Sequence, residues 1–117
     1  MERRLRLRDD ADFRRVRQSG RRYGSALMRL HVSAGPCSHN RYGLVAGKRV
    51  GGAVQRNRIR RQLREALRKL DAGLLQGHDL IVVAQPALAG VTGTAVQREL
   101  RLQLRRAGLL SGKECRT

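Results

Sequence analysis

The segment from Ala53 to Leu70 constrains the fold most strongly, because it predicts a long helix with one apolar and one basic side. The apolar residues recur at the spacing of a buried helix face; they are Ile59, Leu63, Ala66, Leu67 and Leu70. At roughly 100° per residue, the opposite side chains fall within about 100° of arc; they are Asn57, Arg60, Arg61, Arg64 and Arg68. The helix therefore needs a core on one side and presents a continuous basic stripe on the other.

The stripe is electrostatically unfavourable by itself. Arginines one turn apart repel, and a pair such as Arg56 with Arg60 costs about 0.2 to 0.5 kcal/mol. The whole chain is similarly unbalanced, with 26 Lys+Arg against 9 Asp+Glu and a net charge of +17. Base composition of the genome is one explanation for the preponderance of arginine over lysine, but arginine also carries the planar fork that matches phosphate geometry.

A helix face that is merely solvated mixes positive and negative side chains, whereas this face accepts a repulsion that an anionic partner would relieve. Nucleic acid or another polyphosphate is therefore the expected partner.

The first periodic element predicts a short helix. Asp10 is placed to cap it, Asp12 suits its first turn, and Gly20 is placed to end it. Its apolar face is thin, because only Phe13 and Val16 lie on it.

Three segments predict strands. Residues 25–33 alternate, with Ala26, Met28, Leu30 and Val32 towards the core and Leu27, Arg29 and His31 on the opposite side. Residues 41–47 form a second strand, expected to pair with the first in a hairpin-like relation. Residues 79–85 are apolar at successive positions and predict a strand that is covered on both faces.

A last helix carries an apolar stripe of Val96, Leu100, Leu104 and Ala107, and begins either after Thr92 or after Thr94. The length of 117 residues is typical of one domain. Residues 1–117 are therefore assigned to a single domain, with a basic N-terminal arm (1–8) and a C-terminal tail (110–117) that are expected to be loosely ordered.

The sequence argues against membrane and metal-binding classes. The N-terminus has no apolar secretory region, and the longest apolar run, Leu80 to Ala84, is too short to cross a bilayer. A soluble cytoplasmic protein is expected. Cys37 and Cys115 lie far apart with no metal-ligand spacing, so no metal site is predicted.

Catalytic patterns are also missing from the sequence. The nine acidic residues are scattered and the three histidines show no motif spacing, whereas a protein nuclease needs paired carboxylates, an oriented histidine or a metal cluster. The stretch AGKRVGG, from Ala46 to Gly52, lacks the residue order of a phosphate-cradling loop. The chain is expected to bind and not to cleave, with no catalytic residues of its own.

The order of residues is more specific than the composition. The stretch RYGLVAGKRVGGAVQRNRIRRQLREALR, from Arg41 to Arg68, closely resembles the signature of the bacterial ribonuclease P protein subunit. RLRDDADFRRVRQSG resembles the opening helix of that family, GHDLIVVAQPAL resembles its late strand, and the Leu/Arg-rich final helix resembles its last element.

The resemblance implies an α/β fold, an α+β sandwich with a mixed sheet of about four strands, helices packed on one side and an unusual left-handed βαβ crossover. It implies an RNA-binding subunit of an endoribonuclease, in which a large catalytic RNA with Mg²⁺ removes the 5′ leader from precursor tRNA. The protein alone would bind no cofactor. Its partners would be the catalytic RNA and precursor tRNA, with no membrane and no stable protein partner implied.

The resemblance also implies two RNA-binding surfaces. The first lies on the helix that carries the sequence RNR at residues 56–58, called the RNR helix, and on the turn before it; it comprises Lys48, Arg49, Arg56, Asn57, Arg58, Arg60, Arg61, Arg64 and Arg68. The second is a cleft for the single-stranded leader between the first helix and the outer sheet face; it comprises Phe13, Arg17, Arg29 and His31.

The sequence departs from the family pattern at three places. Arg17 stands where the family often has a second aromatic, and His31 stands at the aromatic position of the first strand. Arginine and histidine can both stack on bases, so a leader site is still expected, with more charge and less ring area. Gly52 replaces a frequent asparagine before the RNR helix.

Two other classes share this composition. A structural ribosomal protein is equally small and basic, and the ordered signature argues against it. A helix-turn-helix DNA-binding protein would offer mixed polar side chains to base edges, whereas this stripe is almost entirely arginine.

Overall fold

A computed structural model describes residues 3–110 as one α+β unit. The three helices are α1 (Asp10–Ser19), α2 (Ala53–Leu70) and α3 (Gly93–Arg106). The four strands are β1 (Arg21–Gly24), β2 (Met28–Ala34), β3 (Arg41–Val45) and β4 (His78–Ala84). Each predicted helix is confirmed, and the fold class with a four-stranded mixed sheet is confirmed as well.

The sheet has the strand order β1-β2-β4-β3. β2 pairs antiparallel with both β1 and β4, whereas β3 pairs parallel with β4. β3, α2 and β4 thus form the βαβ unit for which the family resemblance implies a left-handed crossover.

Two expectations about the strands are wrong. The expected hairpin between residues 25–33 and 41–47 does not form, because the apolar strand β4 lies between β2 and β3; the hairpin joins β1 to β2. β1 was not predicted, since its four residues RRYG show no apolar alternation. Ala26 was expected in the core but is exposed, because it belongs to the β1–β2 turn.

The main core lies between one face of the sheet and the layer formed by α2 and α3. The sheet contributes Leu30, Leu80 and Val82, and the helices contribute buried residues from their predicted apolar stripes, Ile59, Leu63, Leu67, Leu100 and Leu104. The expected helical layer on one side of the sheet thus consists of α2 and α3.

Helix α1 lies against the opposite face of the sheet. Val16 packs there with Ile81 of β4, and Phe13 packs at the edge of this smaller cluster. β4 is therefore covered on both faces, as its sequence predicts. This placement puts α1 on the sheet face for which the leader cleft is expected.

A buried carboxylate fixes α1 to the sheet. Asp79 of β4 has no exposed surface and accepts two hydrogen bonds from Arg41, at 2.9 Å from Nε and 2.8 Å from Nη2, and a third from Arg15 of α1. Burial alone would raise the pKa of Asp79, but the hydrogen bonds from the two guanidinium groups hold this pKa below its usual value.

The helix starts differ from the expectations in detail. Asp9, and not Asp10, is the N-cap residue of α1, and its side chain makes no capping hydrogen bond. Thr92 caps α3 through its hydroxyl, which accepts a hydrogen bond from the Ala95 amide at 3.3 Å, so the first of the two predicted starts is correct. Gly52 precedes α2 without a side-chain cap.

The N-terminal arm, expected to be loosely ordered, is docked from Arg3 onwards. Leu7 is 4% exposed and its amide donates to the carbonyl of Tyr42 at 2.8 Å, while Arg6 forms a β-bridge with Tyr42. The unsatisfied outer edge of β3 explains this docking, because a strand edge offers backbone groups to any adjacent chain. Of the expected C-terminal tail, Leu110 is buried, and residues 111–117 lie outside the described residues.

Candidate nucleic-acid interface

The predicted basic residues of α2 and of the turn before it form the α2 basic surface, defined as Lys48, Arg49, Arg56, Asn57, Arg58, Arg60, Arg61, Arg64 and Arg68. The opposite, apolar side of α2 is buried, so this surface faces outward. Most of its α2 members share one side of the helix. Arg58 does not, because it is two positions from Arg60 along the helix, a rotation of about 200°.

Arg60 is held in place by two acceptors. Its Nη1 donates to Asn57 Oδ1 at 3.0 Å, and its Nη2 donates to the Ala46 carbonyl at 3.4 Å. Asn57 therefore orients an arginine as well as lying on the surface itself. Because Ala46 follows β3 directly, the contact also places the guanidinium of Arg60 beside the end of that strand.

Arg68 is already paired within the helix. Its Nη2 and Nε donate to the carboxylate of Glu65 at 2.6 and 3.1 Å. The hydrogen bond from Arg68 lowers the pKa of Glu65. By contrast, Arg61 and Arg64 make no hydrogen bond or ion pair with the part of the chain that the structure describes. These two side chains are consequently the more available for an external anion.

Lys48 and Arg49 lie in a single turn of 3₁₀-helix, Lys48–Val50, and both are exposed. Gly51, which follows, has a φ of 149°, and a Cβ at this position would lie 2.9 Å from the side chain of Gln55. Glycine permits this backbone angle. The turn therefore brings Lys48 and Arg49 to the N-terminal end of α2.

The docked arm extends the basic surface in a way that the sequence did not indicate. A depression of about 150 Å³ lies between the arm, β3 and α2. Its basic lining comes from Arg6 and Arg8 of the arm and from Arg60 and Arg64 of α2. The sequence gives little indication of this contribution, because the arm is held to β3 by backbone hydrogen bonds, which do not depend on a side-chain pattern.

The second predicted group forms the α1–sheet cleft, defined as Phe13, Arg17, Arg29 and His31. Arg29 and His31 share the sheet face that carries α1, as predicted, because they alternate with the core residues of β2. Phe13 is half-buried and packs over β3, and Val45 of β3 and Val83 of β4 are partly buried in the same cluster. The cleft thus has an apolar floor and basic sides.

His31 is 7% exposed, and its Nδ1 atom is buried without a hydrogen-bond partner in the described residues. Burial lowers the pKa of His31, and the positive charges of Arg17, Arg22 and Arg29 lower it further. Arg22 was missed in the sequence because it lies on the unpredicted strand β1, where it pairs directly with His31. The structure thus places four basic side chains together.

The two surfaces lie on opposite faces of the sheet and meet at the edge strand β3. Val45 belongs to the cleft side, and the next residue, Ala46, contacts Arg60 of the α2 basic surface.

The described residues hold no group of three or more His, Cys, Asp or Glu side chains placed to bind a metal ion. In the same part of the chain, no helix has the length and apolar character needed to cross a membrane.

Comparison with known proteins decides between the classes that share this composition. The family model described as Ribonuclease P matches residues 1–108. The chain belongs to the ribonuclease P protein family. It is 43% identical over 115 residues to a ribonuclease P protein component from Chloroflexus aggregans, covering 97% of this chain and 85% of the relative. For the component from Roseiflexus sp., the identity is 38% and the coverage is 97% and 94%.

Solved structures of the ribonuclease P protein family share this fold. A Staphylococcus aureus RNase P protein mutant, described as defective in mRNA degradation activity, aligns with a TM-score of 0.88 at 29% identity, covering 94% of this chain and 93% of the other. The RNase P protein from Thermotoga maritima aligns with a TM-score of 0.80 at 25% identity, covering 86% and 96%.

The family assignment fixes the general role. The chain is a subunit of ribonuclease P, the ribonucleoprotein endoribonuclease that processes the 5′ end of tRNA, and it associates with the RNA of that enzyme. A structural ribosomal protein is not favoured. In this family the RNA subunit carries out the cleavage.

Proposed function

We propose that the chain binds precursor tRNA as well as the catalytic RNA, and that it divides these tasks between its two surfaces. The α2 basic surface contacts backbone phosphates of the catalytic RNA. The α1–sheet cleft receives the single-stranded 5′ leader. The observation that carries this division is the separation of the two surfaces on opposite faces of the sheet, joined at β3.

The α2 basic surface suits a folded RNA. Folded RNA brings sugar–phosphate backbones close together, and a row of guanidinium forks can bridge them. Binding would release counterions and weaken steeply with salt. It would also relieve the repulsion between arginines along α2.

The cleft suits a single strand. A splayed strand needs cations for its phosphates and a flat surface for its bases, and Arg17 and Phe13 lie one turn apart on the same side of α1. Leader binding would give precursor tRNA an affinity advantage over mature tRNA, because mature tRNA has lost the leader.

In this proposal the catalytic RNA, and not the protein, cleaves the precursor tRNA. Mg²⁺ bound by the catalytic RNA would supply the nucleophile and stabilise the leaving oxygen, and this chain would contribute no catalytic residue. By offsetting phosphate repulsion, the chain would lower the Mg²⁺ concentration that cleavage requires. Such an enzyme would act in the cytoplasm.

The test is cleavage of a precursor tRNA by the cognate RNA at low Mg²⁺, with and without the chain. We expect the chain to stimulate cleavage strongly and to lower KM for precursor tRNA more than the inhibition constant of mature tRNA. Stimulation without discrimination between the two tRNAs would contradict the leader site. The absence of any stimulation would contradict the whole proposal.

A further inference from the structure

Three arginines converge on His31 from three different elements. Arg17 comes from α1, Arg22 from β1 and Arg29 from β2, and the charge of each acts on the imidazole. Arg22 is the direct cross-strand partner of His31, and Gly24 is the partner of Arg29. Because Gly24 has no side chain, an open depression of about 320 Å³ remains beside Arg22 and Arg29. This space is large enough for a phosphodiester group.

The charge in this cluster is not neutralised within the described residues. Arg17, Arg22 and Arg29 make no hydrogen bond or ion pair there, and all three are exposed. On the other side of His31, its partner on β4 is the apolar Ile81. The nearest acid along β4 is Asp79, whose carboxylate is occupied by Arg41 and Arg15. The carboxylate of Asp79 is therefore not available to His31.

We propose that Arg17, Arg22 and Arg29 form a phosphodiester clamp on the RNA backbone, and that occupation of the clamp is coupled to uptake of a proton by His31. The inference rests on the proposed leader-binding role of the cleft and specifies its chemistry: the sugar–phosphate backbone is recognised there more than the bases. Arg22 joins the cleft as a backbone-binding residue.

The coupling follows from electrostatics. Burial is the main cause of the lowered pKa of His31 and remains in the complex, but a bound phosphodiester offsets the repulsion that the three arginines exert on a charged imidazole, so this pKa rises on binding. Each unit of this rise makes RNA binding about tenfold tighter below both pKa values than above them. Binding through the clamp should therefore strengthen as the pH falls from 7.5 to 5.

The probe is a pentamer of uridylate, since uridine stacks weakly, together with an abasic pentamer of the same length. Binding to the full-length chain is measured at pH 7.5 and pH 5, and the imidazole signals of ¹⁵N-histidine-labelled protein are titrated with and without the pentamer. His39→Gln and His78→Gln assign the three histidines.

We expect similar affinities for both pentamers, binding that is severalfold tighter at pH 5 than at pH 7.5, and an upward shift of the His31 titration midpoint in the bound state. His31→Gln should remove the pH dependence, and Arg22→Gln should weaken binding. The His31 titration of the unmodified protein is decisive even if a variant fails to fold.

Two outcomes would overturn the clamp while leaving the proposed function intact: a strong preference for uridylate over the abasic pentamer, or pentamer binding that leaves the His31 midpoint unchanged. If neither pentamer binds while precursor tRNA still binds more tightly than mature tRNA, the leader is bound elsewhere and the clamp is wrong. Loss of that tRNA discrimination would instead contradict the leader role itself.

Discussion

Phe13 of α1 lies directly over Gly43 of β3. A Cβ atom at Gly43 would stand 2.5 Å from Phe13 Cζ and 3.0 and 3.2 Å from the two Cε atoms, too close for any real side chain. The ring therefore packs on bare strand backbone with one part and remains half-exposed with the other. Packing and base stacking are compatible roles for this side chain, and the two can be separated by experiment.

Gly43→Ala tests the packing role. The added methyl group must displace the Phe13 ring or the helix that carries it, and overpacking of this kind costs about 1 to 3 kcal/mol. Urea denaturation should show this loss. Gly47→Ala is the matched control, because a Cβ at Gly47 meets nothing within 4 Å; equal losses in both variants would contradict the close contact.

Phe13→Leu tests the stacking role. Leucine keeps an apolar side chain over Gly43 but removes the flat ring, so the free energy of unfolding should change little. Loss of one stacked base weakens binding by about 1 to 3 kcal/mol. We expect that loss for precursor tRNA and none for mature tRNA in holoenzyme binding assays. Equal weakening for both substrates would show that Phe13 serves only the fold.

The sequence predicts the helices well because their apolar stripes are local patterns. Ile59, Leu63 and Leu67 recur at helical spacing and are all buried as expected. Strand pairing is a different problem, because register depends on residues far apart in the chain. The apolar pattern of β4 indicates a central strand, but nothing in the sequence indicates that β3 pairs with it in parallel.

The parts of the interface that the sequence did not indicate also depend on pairing between segments that are far apart in the chain. Arg22 lies beside His31 only because β1 pairs with β2. Arg6 lines the same depression as Arg64 only because the arm docks on the edge of β3. The α2 basic surface was predictable because one helix carries nearly all of it. A site assembled from several elements requires the topology first.

Asp79 should make stability depend on pH in acid. Its pKa is held low by Arg41 and Arg15 against the effect of burial, so the folded state keeps the carboxylate charged where the unfolded chain takes up a proton. The stabilisation is fully present above the unfolded pKa, near 3.9, and is lost as the pH falls through the lower folded value.

Urea denaturation between pH 7 and pH 2.5 measures this effect. Asp79→Asn should lower the free energy of unfolding by up to about 3 kcal/mol at pH 7, since it removes the buried acceptor shared by Arg41 and Arg15 and leaves them only their longer ion pairs with Asp12. The variant should also lose part of the acid dependence. Asp10→Asn, at an exposed acid of α1, should retain that dependence; identical profiles for the two variants would contradict the role of Asp79.

The position of the arginines on α2 can be separated from their total charge. Arg61→Ala with Arg64→Ala should lower affinity for the catalytic RNA and flatten its dependence on log salt by about 0.7 to 0.9 per lost phosphate contact. Arg98→Ala with Arg105→Ala removes the same charge from exposed positions on α3. Equal flattening by the two pairs would mean that net charge, and not the α2 basic surface, governs binding.

Asn57 should act largely through Arg60. Its Oδ1 accepts from Arg60 Nη1 at 3.0 Å, and together with the Ala46 carbonyl it holds the guanidinium at the end of β3. Asn57→Ala removes this hydrogen bond without removing charge, so affinity for the catalytic RNA should fall by about 1 kcal/mol while the salt dependence is retained. Arg60→Ala should lower both quantities.

A double-mutant cycle distinguishes orientation from direct contact. If Asn57 works by positioning Arg60, then adding Asn57→Ala to an Arg60→Ala chain costs almost nothing, and the two single losses are strongly non-additive. Additive losses would mean that the Asn57 amide contacts the RNA itself. Filter binding at three salt concentrations measures affinity and slope together. Non-additive losses, together with an unchanged salt dependence in Asn57→Ala, would show that Asn57 acts by orienting the guanidinium of Arg60 towards the RNA.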